Sequence, residues 1–213
     1  MAATDTLSTT ETSSDDVIVE AATAPADAVA PPVLPRRREL LFGTAFATGG
    51  VVMALVTLIG AYLATRDATG AAWLSANDIP LTQPNMQLVT LGMSVVTMQW
   101  AVWSINRDDR YHTYLALGVT ILLGAAFVNQ TSFLFNQAEI VMSQAEGPLF
   151  YAVTAGHLAM VVAGLIFMAL MGFRTLGGQF SSRQPDGIGA AAIFWQAAVA
   201  LYVVIWFAVY VQK

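Results

Sequence analysis

Hydrophobic positions in this chain are grouped into five long runs, which short polar segments separate. The runs cover residues 40–64, 87–105, 114–135, 149–173 and 188–211. About 20 apolar residues, each rising 1.5 Å along a helix, cross the ~30 Å hydrocarbon core of a bilayer. The pattern therefore predicts five transmembrane helices, and an all-α integral membrane bundle within residues 36–213.

Residues 1–35 have a different pattern. This segment is rich in Ala, Thr, Ser, Asp and Pro, has no aromatic residue, and carries six acidic and no basic side chains. Such a composition cannot bury enough apolar surface to fold, so we expect a disordered acidic N-terminal tail. The segment lacks a basic start followed by an apolar core, and is therefore not a secretory signal peptide.

Composition supports the membrane assignment. The chain is 56% hydrophobic and 11% charged, whereas roughly a quarter of a typical soluble domain is charged. The net charge of −5 comes from the tail, because the other residues carry nine basic and eight acidic groups. No nucleic-acid partner is expected. There is no cysteine, which excludes disulfides, thiolate metal sites and iron–sulfur clusters.

The basic residues near the spans predict the orientation. Seven of them fall in segments that share one side of a five-span protein: Arg36, Arg37, Arg38, Arg107, Arg110, Arg174 and Arg183. The other side has only Arg66 and Lys213. Because basic residues are enriched on the cytoplasmic side, we expect a cytoplasmic N-terminus and a C-terminus outside.

The chain has two histidines, of which His157 lies eight residues into the fourth run. An ionisable residue at that depth suggests a haem ligand, a proton carrier or a substrate contact, although an ordinary hydrogen-bonded core histidine also fits. His112 lies at the inner surface, about 18 Å from His157 in depth, so the two cannot bind one haem iron. No Asp, Glu, Lys or Arg lies inside a run. We therefore expect no catalytic, cofactor-binding or metal site in this chain.

The runs do contain neutral polar side chains. Gln99 and Gln196 come out at similar depths, while Asn129 and Gln130 lie nearer the outside. Amides inside a membrane commonly form hydrogen bonds between helices. The predicted structural interhelical contacts are therefore His157, Gln99, Gln196, Asn129 and Gln130. Four tyrosines lie towards span ends or at groove-facing positions, and for most of them we expect a place in the interfacial aromatic belt rather than a role in chemistry: Tyr62, Tyr151, Tyr202 and Tyr210.

The order of motifs from about Leu40 to Val211 resembles the cytochrome c oxidase subunit III family. In the last two helices the matching positions are Thr154, Gly156, His157, Gly164, Arg174, Gly187, Ala190, Ala191 and Trp195. In the second and third helices they are Ser94, Val96, Thr97, Trp100, Ala101, Arg107, Gly124 and Phe127. The "AYLATR" end of the first helix is similar to the five-helix bacterial form of the family.

The chain departs from the family pattern at its polar positions. Acidic residues or histidines of the family are replaced here by Gly50, Gln99, Met160, Gly189, Gln196 and Val199. His157 stands where the family has a histidine, yet its polar partners are missing. We therefore expect His157 to pack and to form a hydrogen bond rather than to carry out chemistry.

The resemblance implies a non-catalytic subunit of a respiratory haem-copper oxidase in a bacterial inner membrane, where it stabilises the catalytic subunit. Haem and copper would belong to that partner, and this chain would hold no cofactor. The implied partners are the catalytic subunit, other oxidase subunits and membrane lipids. The alternatives are a stand-alone transporter or assembly factor, and an accessory subunit of a related nitric-oxide-reducing complex.

Overall fold

The computed structural model describes residues 38–70, 73, 81–138, 140, 142–143, 147–177 and 185–212. Within these ranges five helices are long and apolar enough to cross a membrane, as the hydrophobic pattern predicts. They are α1 (Glu39–Thr69), α2 (Thr82–Ile105), α3 (Arg110–Gln137), α4 (Gly147–Leu176) and α5 (Asp186–Ile205), which continues as a π-helical segment, Trp206–Val211. The predicted fold class is confirmed. The predicted tail, residues 1–35, lies outside the described residues.

The helices extend beyond the hydrophobic runs because local hydrogen bonds, and not hydropathy, determine where a helix ends. α2 begins at Thr82 rather than at residue 87. Pro84 is tolerated there because the first turn of a helix leaves its N–H groups unpaired in any case. α3 begins after Asp109, whose carboxylate accepts a hydrogen bond from the His112 N–H at 3.2 Å. Asp109 is therefore the N-cap of α3.

A tight turn joins α2 to α3, and these two helices form the most extensive pair in the bundle. Asp108 has φ 58°, in the left-handed region. Asp is one of the few residues other than Gly that adopt this conformation readily, so the chain reverses within a few residues. The turn thereby makes the two helices antiparallel neighbours.

Helix α5 has the central position. It packs against α1, α2 and α4, whereas α3 packs against α2 and α4. Helix α1 is peripheral and contacts mainly α4 and α5 through a short buried face, which consists of Thr48, Leu55, Ile59 and Tyr62.

Arg66, in the last turn of α1, forms hydrogen bonds with the C-terminal residues of the described structure. Its guanidinium donates to the carbonyl of Ala208 at 3.4 Å and to the carbonyl of Gln212. It also contacts the carboxylate of Asp67 at 3.3 Å. The last carbonyls of a helix have no partner within the helix, so a basic side chain there satisfies them. We call this contact the Arg66 clamp.

Candidate functional site

His157 lies on the inner face of α4 and is 2% exposed. Its Nε2 is 2.9 Å from the carbonyl oxygen of Ala198 on α5. A carbonyl only accepts, so Nε2 carries the hydrogen and donates it. The ring packs edge-on against Phe127, with centroids 5.7 Å apart, and tilted against Tyr202 at 5.4 Å. His157 thus joins α4 to α5 and reaches an aromatic ring of α3.

Tyr202 is the centre of a second buried set of hydrogen bonds. Its hydroxyl lies 2.6 Å from Oε1 of Gln87 and 3.2 Å from the carbonyl of Pro84, both on α2. The amide nitrogen of Gln87 donates to Oγ1 of Thr131 at 3.1 Å, and Thr131 donates to the carbonyl of Phe127 at 2.9 Å. This series of hydrogen bonds joins α5, α2 and α3 and ends on a main-chain carbonyl. It includes an amide, which does not titrate, so it does not form a proton relay.

The other predicted polar residues lie in three separate places. Gln196 donates to Oε1 of Gln99 at 2.8 Å, on the surface of the bundle. Gln130 donates to Oγ1 of Thr90 at 3.3 Å, which joins α3 to α2. Asn129 is exposed on α3. The structure therefore brings Gln99 and Gln196 together but does not gather the five residues into one site.

The tyrosine prediction is wrong for three of the four residues. Tyr62, Tyr202 and Tyr210 are each no more than 3% exposed, so they do not face the lipid headgroups. Trp73 donates to the hydroxyl of Tyr62 at 3.1 Å and packs edge-on against its ring. Tyr151 is half-buried and donates to the carbonyl of Ile140 at 3.1 Å. A hydrogen-bonding partner for the hydroxyl, as Tyr62 and Tyr202 have, allows a tyrosine to be buried.

Trp195 of α5 holds four helices together. Its indole N–H donates to Oγ of Ser94 on α2 at 2.9 Å, and it is fully buried. A Cβ atom built on Gly124 of α3 would lie 2.7 Å from the ring, and one on Gly164 of α4 would lie 3.1 Å from it. Only glycine fits at 2.7 Å, because real Cβ atoms essentially never approach so closely. We call Trp195, Ser94, Gly124 and Gly164 the tryptophan lock.

A hydroxyl contact lies beside the tryptophan lock. Thr97 on α2 and Thr120 on α3 are joined at 2.8 Å between their Oγ1 atoms. Thr97 and all four residues of the lock are among the positions on which the sequence resemblance rests. Their shared location gives those positions a common physical role in helix packing.

The turn between α2 and α3 carries a pair of titratable groups. Nδ1 of His112 lies 2.6 Å from Oδ2 of Asp109, and both side chains are about half exposed. The hydrogen bond from the backbone N–H of His112, followed by the contact with its ring, holds the pKa of Asp109 below its ordinary value. Beside this turn, the guanidinium of Arg107 lies 3.8 Å above the ring of Trp103.

The described side chains offer few groups that could bind a metal ion together. Among the residues that the structure describes, no three His, Asp or Glu side chains come together in a geometry that could hold a metal ion. His157 uses Nε2 on a carbonyl, and His112 uses Nδ1 on a carboxylate. Neither histidine has a second histidine or methionine ligand arranged opposite it in the contacts described above.

Comparison with known proteins identifies a family to which this sequence is similar. The sequence profile of cytochrome c oxidase subunit III matches residues 45–213. The cytochrome c oxidase subunit 3 of the sea urchin Strongylocentrotus purpuratus is 28% identical over 152 residues, 70% of this chain and 58% of that protein. The subunit 3 proteins of Ovis aries and Bos taurus are each 30% identical over 132 residues, 62% of this chain and 51% of theirs. The chain thus spans about half the length of these curated relatives.

Proposed function

This chain belongs to the cytochrome c oxidase subunit III family, and we propose that it serves as a non-catalytic subunit of a respiratory haem-copper oxidase. The observation that carries the proposal is the family match over residues 45–213, which includes every residue of the tryptophan lock. In this role the chain supports aerobic electron transport by stabilising the catalytic subunit. Its partners are that subunit, the other oxidase subunits and the surrounding lipids.

We infer that haem and copper are held by the partner and not by this chain. The donor set supports this assignment: the chain has no cysteine, and its two histidines each bond within the bundle. Four of the five polar residues predicted from the sequence then have a structural role. His157, Gln99, Gln196 and Gln130 join helices, and Asn129 is the exposed member of the set.

The orientation is part of the same proposal. We assign the loop between α2 and α3 and the loop between α4 and α5 to the cytoplasmic side of a bacterial inner membrane, because the basic residues are concentrated there. The N-terminus then lies in the cytoplasm and the C-terminus outside. The Arg66 clamp is on the outer side.

A gentle purification tests the function. Affinity-tagged chain is extracted from its native membranes in a mild detergent, and the absorption spectrum and subunit composition are measured. We expect a haem-containing subunit to co-purify in a fixed ratio and the preparation to consume oxygen. Chain purified after separation from its partner is expected to show no haem Soret band.

Two results would contradict the proposal. Chain that is recovered without haem from gently extracted membranes would favour a stand-alone membrane protein. A stoichiometric Soret band in the partner-free chain would show that the chain holds haem itself.

A further inference from the structure

We draw no further inference here: the strongest candidate, the exposed face of small residues along α1 (Gly43, Ala47, Gly50 and Ala54), carries none because nothing in the structure shows what covers it.

Discussion

At the scale of single residues, His157 is a buried ring whose contacts favour a role in helix packing over one in proton transfer. Its N–H is donated to the carbonyl of Ala198, which cannot pass a proton onward. The neighbouring groups are the rings of Phe127 and Tyr202. The contacts of His157 are those of a residue that fixes the spacing of α4 and α5.

Substitution of His157 separates packing from chemistry. His157→Gln keeps a donor at nearly the same position, so we expect the free energy of unfolding to fall by less than about 1 kcal/mol. His157→Leu removes the hydrogen bond and the aromatic contacts, for an expected loss of about 1–2 kcal/mol. Oxygen consumption per haem is expected to stay near the wild-type value in both.

The measurement is turnover per haem in membranes, together with thermal unfolding of the extracted complex. A tenfold fall in turnover with normal subunit retention would show that His157 takes part in the reaction. Reduced stability of the complex with normal turnover per haem would agree with a packing role for His157.

At the scale of the helices, the apolar runs predict that a helix exists and roughly where it lies. They do not predict the residues at which it begins and ends. Ends depend on single side chains such as the Asp109 carboxylate, which caps α3. Gln99 and Gln196 could be predicted as a pair because the helical rise gives their depths. The series of hydrogen bonds from Tyr202 through Gln87 to Thr131 could not be predicted, because it depends on how three helices are rotated about their axes.

The Asp109 cap gives a pH-dependent prediction. The pKa of Asp109 is lowered in the folded protein, so its contribution is complete above the ordinary value near 3.9 and is lost as pH falls through the folded value. Asp109→Ala is expected to speed amide hydrogen exchange at the start of α3 at neutral pH by about two- to tenfold. Asp109→Asn, which can still accept the hydrogen bond but carries no charge, should exchange at a rate between those of the wild type and Asp109→Ala.

Hydrogen exchange of residues 110–113 from pH 7 to pH 3 checks this prediction. The difference between wild type and Asp109→Ala should shrink only at the acidic end of the series. A difference that stays constant throughout would mean that the charge of Asp109 does not support the helix.

At the scale of the whole molecule, the bundle is held together by close approaches around α5. The tryptophan lock joins α2, α3 and α4 to the central helix, and two of its members are glycines. The sequence indicates that these residues matter, through the resemblance of their motifs. It does not show that they meet, because small residues at helical spacing occur on several faces of this chain.

Enlarging one glycine tests the lock. A Cβ atom on Gly124 would lie 2.5 Å from Cδ2 of Leu165 and 2.7 Å from Cη2 of Trp195. Gly124→Ala is therefore expected to destabilise the protein by about 1–3 kcal/mol, since an overpacked interior must shift. Gly118→Ala on the same helix is the control: nothing lies within 4 Å of its Cβ position, so it is expected to be neutral or slightly stabilising.

Thermal unfolding of the two alanine variants in the same detergent checks this expectation. Equal midpoints for Gly124→Ala and Gly118→Ala would show that Trp195 and Leu165 can move without cost, and that the lock does not hold the bundle.

The Arg66 clamp has a consequence for biosynthesis. Arg66 and Ala208 are 142 positions apart in the chain, so the first helix leaves the ribosome long before its partner exists. At about 5–20 residues per second, roughly 7–30 s of translation separate them. Helix α4 is incomplete for most of that interval and α5 for nearly all of it, so α1 crosses the bilayer before its main neighbours and must be stable there by its own hydropathy or with the help of the insertion machinery. A ribosome that stops before the last helix would therefore leave α1 inserted with α4 as a neighbour but without its more extensive contact, which is with α5.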